Sequence, residues 1–215
     1  MNYTILQQLI NYLDVYETNH KSVEKSNLTD FVVFLNQELF EKEQLLIDEN
    51  DQHETIERLV SRLIAFLYRY AKGYIKKALQ NSTLLTLDDF SYLAGIWKAG
   101  SCTKTEIIEK NIHEKTTGIE IIKRLLNAEL IYQTDDTTDR RSKRLMITEK
   151  GKETLFGVFE EMRKASIIIA GNLSTTEKMQ LAFLLQKLDY FHNPLFLEQQ
   201  DKDLDSLLAL MKGGD

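Results

Sequence analysis

Three times along this chain a hydroxyl residue stands three positions ahead of an acid and just before an apolar run: Thr86 and Asp89, Thr103 and Glu106, Ser174 and Glu177. That spacing lets the hydroxyl accept the third backbone N–H of a new helix while the acid reaches back to the capping N–H, so it fixes where a helix begins. After Thr86 come Phe90, Leu93, Ile96 and Trp97 on one face, with Gly100 as a stop. After Thr103 come Ile107 and Ile108, a turn near Asn111, and a helix over about Lys115 to Ala128. That helix should bury Ile121, Ile122 and Leu125 and leave Thr116, Thr117, Glu120, Lys123 and Arg124 outward.

"LIYQT" and "KRLMI" follow as two short β-type runs separated by the polar stretch Asp135 to Ser142, which reads as a hairpin with a long tip. Thr148 then caps a helix carrying Leu155, Phe159 and Met162 and ending near Gly171. Beyond Ser174, Leu181, Leu184, Leu185 and Leu188 should face inward. Ahead of Thr86, apolar residues at helical spacing predict helices over Tyr3 to Thr18, Leu28 to Leu46 and about Glu54 to Leu79, with polar "NHKSVEKSN" and acidic "DENDQ" between them. One proline and nine glycines in 215 residues leave few interruptions.

The expected fold is therefore mainly α with a small β-hairpin wing: a winged helix-turn-helix domain flanked by dimerisation helices. We divide it into an N-terminal helical extension (1–50), the winged helix-turn-helix with its flanking helices (51–192, the core being about 86–151), and a tail (193–215). The tail holds one further amphipathic stretch, Leu204 to Met211.

Charge is distributed in a way that bears on function. The chain carries a formal net charge of -6, yet Thr103 to Lys152 holds 11 Lys and Arg against 9 Asp and Glu. A locally basic middle between acidic flanks suits contact with an anion through one region only. Arg140, Arg141, Lys143 and Arg144 crowd the hairpin tip. A hairpin tip beside a duplex can reach a minor groove, where an arginine gains from the negative potential without reading a unique base pattern. Arg141 is placed to insert, and Asp139 to hold its guanidinium.

"DRRSKRLMITEKG", Asp139 to Gly151, resembles the wing and following helix start of MarR-family transcription regulators, and the resemblance runs from about Thr86 to Leu188. It implies a dimer joined through its terminal helices, a recognition helix in each major groove of a pseudo-palindromic double-stranded DNA operator, wings in the flanking minor grooves, and often a small-molecule or redox input. Carried over by position, Lys115 to Arg124 begins the recognition helix, with Thr116, Thr117 and Glu120 as base-edge readers and Lys115 and Lys123 on phosphates. Two positions depart from the family pattern: Gly118, where a β-branched residue is common, and Glu129, where a glycine normally ends the helix.

Other features have blander readings. The single cysteine, Cys102, fits a reducing compartment; it reads as a buried small hydrophobe rather than a peroxide sensor. Phe66, Tyr68, Tyr70, Tyr74, Phe90, Tyr92 and Trp97 could line a pocket for a small aromatic effector, although core and dimer interface is the commoner fate of such residues. His20, His53, His113 and His192 lack metal-ligand spacing, and no catalytic or cofactor motif is present, so neither an enzyme nor a cofactor is expected. No basic, apolar leader opens the chain, and no apolar run approaches the ~18 residues of a membrane span, so a cytoplasmic protein without membrane contact is expected. The competing function is a non-catalytic winged-helix module that docks another protein.

Overall fold

A computed structural model describes residues 3–19, 28–40, 55–136, 143–199 and 201–212. Its elements are α1 (Tyr3–Asn19), α2 (Leu28–Phe40), α3 (Ile56–Ala78), α4 (Leu87–Ala99), β1 (Cys102–Thr103), α5 (Lys104–Lys110), α6 (Lys115–Asn127), β2 (Ile131–Asp135), β3 (Lys143–Ile147), α7 (Glu149–Ala170), α8 (Thr175–Glu198) and α9 (Leu204–Lys212). Residues 1–62 and 63–215 form two compact units. The expected boundary after residue 50, the "DENDQ" segment and the extension of the second helix to Leu46 all lie outside the described residues.

In the first unit α1 packs on α2 through an aromatic cluster. Buried Tyr16 meets Phe31 edge-on at 5.5 Å and Phe34 at 5.3 Å between ring centroids. The rest of the α1 stripe, Leu6, Leu9, Ile10 and Leu13, is exposed.

The second unit builds its core where the capping boxes aim the helices. Tyr92, Leu93 and Ile96 of α4, Ile107 of α5 and Ile121, Ile122 and Leu125 of α6 close over Leu130, Leu145 and Leu155. All three boxes form as expected, at Thr86, Thr103 and Ser174, and Gly100 ends α4 at φ 71°. The sheet is antiparallel in the order β1-β3-β2, with Cys102 opposite Leu145 and Ile131 opposite Ile147. β1 is too short to show alternation, which is why the sequence suggests a hairpin and the fold has three strands.

The segment Thr148 to Gly151 is the joint between wing and α7. Thr148 donates its backbone N–H to the Leu130 carbonyl (3.0 Å) and its hydroxyl to the Glu129 carbonyl (2.8 Å), while the same hydroxyl accepts the Gly151 N–H at 2.9 Å. Gly151 is required by proximity, since a Cβ there would stand 2.0 Å from the Leu130 carbonyl oxygen. Across the joint, Glu129 occupies the left-handed region at φ 60°, where a side chain is disfavoured.

Two expectations about α8 are corrected. It continues through Pro194 to Glu198 instead of ending before the proline. Pro194 lies in its last turns, where Leu195 and Phe196 are still half-covered and the Gln199 N–H closes onto the Leu195 carbonyl. Nor do Leu181, Leu184, Leu185 and Leu188 face inward: all four are exposed, and α8 buries no residue. The stripe is real, but among the described residues the single chain offers it no matching face.

Gly151→Ala should lower stability by ~2–3 kcal/mol, because backbone rather than a pliable side chain blocks the methyl. Glu129→Gly should change stability by less than ~1 kcal/mol, toward higher stability, since relief of the left-handed conformation exceeds glycine's entropic cost. Urea denaturation of both variants checks the pair; a tolerated Gly151→Ala would mean that α7 is free to shift at this joint.

Candidate nucleic-acid interface

α5 and α6 form the helix-turn-helix. Asn111 closes α5, its side-chain amide donating to the Ile107 carbonyl at 2.8 Å, and Ile112 turns the chain at φ 55°. The helices then approach closely because glycine stands at both contacts. A Cβ on Gly95 would lie 2.7 Å from the Ile107 side chain, and one on Gly118 would lie 2.4 Å from Ile108 and 2.9 Å from the Tyr92 hydroxyl. Gly118 therefore departs from the family pattern because a large α4 residue, Tyr92, fills the space a branched side chain would take. That hydroxyl is 3.1 Å from His113 Nδ1, with the two rings stacked, so His113 is a turn residue held against α4.

The buried face of α6 is the expected one, and Lys115, Thr116, Thr117, Glu120, Lys123 and Arg124 are all exposed. Arg124 differs from its neighbours. Its Nη2 and Nε donate to Asp89 Oδ1 at 2.7 and 3.1 Å, and Asp89 is only 2% exposed. The other oxygen, Asp89 Oδ2, accepts the N–H groups of Leu85 (3.0 Å) and Thr86 (3.1 Å) at the start of α4. Arg124, read from sequence as part of the DNA surface, is thus engaged as a strut between α6 and α4.

The basic wing divides similarly. Arg144 donates to Ser101 Oγ (2.6 Å), the Ser101 carbonyl (2.8 Å) and Asp136 Oδ2 (3.1 Å), and Asp136 is buried. Arg144 therefore fastens the base of the wing to the α4–β1 connection. Lys143 pairs with Asp135 across β2 and β3, where both are exposed. Asp139, Arg140 and Arg141 lie outside the described residues. Asp89 and Asp136 are the functional partners that sequence reading missed. Asp89 is legible only as a cap, and Asp136 carries no signal beyond its position before the tip.

Cys102 is buried in β1, where desolvation and the nearby Glu106 push its thiol up from the ordinary value. It is therefore held as the unreactive thiol, in keeping with the core reading. The seven aromatic residues do not share one pocket. Tyr92 is core; Phe90 and Trp97 join Phe156 and Phe159 in a cluster of edge-on rings; Tyr68 lines a cavity of about 250 Å³ with Lys72, Lys76 and Leu85 to Asp88. Among the described residues no helix is long and apolar enough to cross a membrane.

Known proteins carry the same arrangement. A family model described as a winged helix DNA-binding domain matches residues 99–151. The HTH-type transcriptional repressor NicR of Pseudomonas putida is 28% identical over 104 residues, 48% of this chain and 66% of that repressor, just short of two thirds of its length. Among solved structures, Bordetella bronchiseptica BpsR, described as regulated in DNA binding by 6-hydroxynicotinic acid, is 21% identical with a TM-score of 0.57, covering 61% of this chain and 98% of that one. A mutant MarR from E. coli complexed with operator DNA is 17% identical with a TM-score of 0.57, covering 63% and 99%. Residues 99–151 are thus a winged helix DNA-binding domain. The chain is of the MarR type, the family its wing resembles, and has the DNA-binding domain of a transcription regulator.

Arg124→Ala should lower stability by ~2–3 kcal/mol, since it leaves a buried carboxylate without its cation. Asp89→Ala should cost at least as much, as it removes the α4 cap as well. Thermal unfolding measures both. Unchanged stability in Arg124→Ala, with loss of DNA affinity alone, would return Arg124 to the DNA surface.

Proposed function

We propose that this protein is a homodimeric, sequence-specific regulator of transcription acting in the cytoplasm. The observation that carries this reading is the exposed face of α6: Thr116, Thr117 and Glu120 stand clear beside Lys115 and Lys123, on a helix locked by Gly118 and Asp89 in a winged-helix frame. In the proposed complex that face enters the major groove of a pseudo-palindromic operator. The threonines and Glu120 meet base edges, and the lysines meet phosphates. Arg141, oriented by Asp139, enters the minor groove, with Arg140 and Lys143 on the flanking backbone.

Dimerisation is supported by the unpartnered stripes. α8 exposes its whole leucine row, and α3 exposes Leu63, Phe66, Leu67 and Tyr70. An apolar surface on that scale marks an association site. A small aromatic acid is the effector class we favour, because the α3–α4 cavity sets Tyr68 beside Lys72 and Lys76, a ring face with cations for a carboxylate.

Light scattering at micromolar concentration should give a dimer with and without DNA; a monomer under both conditions would contradict the interface. In mobility titrations Arg141→Ala should weaken binding by ~1–3 kcal/mol with little loss of base preference. Thr116→Ala and Glu120→Ala should flatten discrimination at particular half-site positions, and Lys123→Ala should reduce the salt slope by about one. Full affinity in Arg141→Ala would mean that the wing does not reach DNA, favouring a protein-docking module.

A further inference from the structure

The N-terminal end of α6 is not open on every side. A cavity of about 490 Å³ has Lys104 of α5 and Lys115 and Ile119 of α6 on one wall and Phe196 and Leu197 of α8 on another. A second, of about 460 Å³, sets Ile112 and Glu114 of the turn opposite Phe196, Lys202 and Leu207. Phe196 and Glu114 line both, so the last turns of α8 and the start of α9 lie against one flank of the recognition helix. Helix-turn-helix proteins bring that end of the helix to base edges.

Two features of this arm suit a removable cover rather than a structural wall. Its attachment is slight: α8 buries no residue, and of α9 only Leu207 is half-covered. Its charge is that of a competitor. From Glu198 to Asp205 it carries Glu198, Asp201, Asp203 and Asp205 against the single Lys202, an acidic run beside the cations Lys104 and Lys115. Phosphates of a duplex seek those same cations.

We propose that the α8–α9 arm is an internal competitor for DNA, held over the Lys115–Ile119 flank of the recognition helix by Phe196 and Leu207 and displaced when the helix enters a groove. The inference rests on the DNA-binding reading of α6. In the covered state the helix is incompetent, and apparent affinity falls by the fraction of molecules uncovered.

The test uses the full chain as wild type, Phe196→Ala and Leu207→Ser, titrated with mixed-sequence duplex DNA longer than two helical turns. Hydrogen exchange of the α6 amides is followed without DNA. Leu207 lies on a helix that buries nothing, so Leu207→Ser leaves the winged-helix core intact even if Phe196→Ala disturbs α8. With nine molecules in ten covered, both variants bind about tenfold more tightly than wild type, and the amides of Thr116 to Ile119 lose protection. Equal or weaker binding by the variants overturns the competitor, whatever the exchange shows. Failure of all three proteins to bind DNA, with protection still lost in the variants, overturns the proposal through the DNA reading instead and is distinguishable from the first failure.

Discussion

One carboxylate, that of Asp89, ties the recognition helix to the rest of the domain. With one oxygen it caps α4 through Leu85 and Thr86, and with the other it holds Arg124 of α6. Charge-assisted bonds of this kind are short and directional, and at a nearly water-free carboxylate there is little competition from solvent. The start of α4 and the middle of α6 are thereby made one body. Tyr92, a turn further along α4, extends the junction to His113 and to the space left by Gly118. The orientation of Thr116, Thr117 and Glu120 depends on this joint, because a reading helix is useful only if its angle to the wing is fixed.

The wing is anchored by the same logic at its other end. Arg144 joins Asp136 to Ser101, and Thr148 joins β3 to the end of α6. A cluster of cations that looks uniform in sequence is therefore divided in function. Lys143 and Arg144 are engaged wholly or partly by the protein's own carboxylates, so groove contact at the tip is a matter for Arg140 and Arg141.

What is legible in the sequence is local. Capping boxes act over three residues, so Thr86, Thr103 and Ser174 mark helix starts, and the burial of Ile121, Ile122 and Leu125 follows from helical period alone. What is not legible needs distance or a partner. Arg124 meets Asp89 across 35 positions, and nothing in either neighbourhood announces the pairing. The α8 leucines have the spacing of a buried face, but spacing does not say whose surface buries it. Pro194 reads as a stop, and the helix nonetheless continues for a turn. Glu129 keeps a conformation glycine prefers because Thr148 and Gly151 close the joint around it.

The central claim is that α6 of each protomer reads one half of a symmetric site. Sequencing the DNA fragments recovered with the purified protein tests it most directly. The account predicts an enriched inverted repeat whose half-sites are centred about one helical turn, roughly 10 base pairs, apart. Recovery of fragments without a shared motif, or with a motif lacking two-fold symmetry, would contradict it.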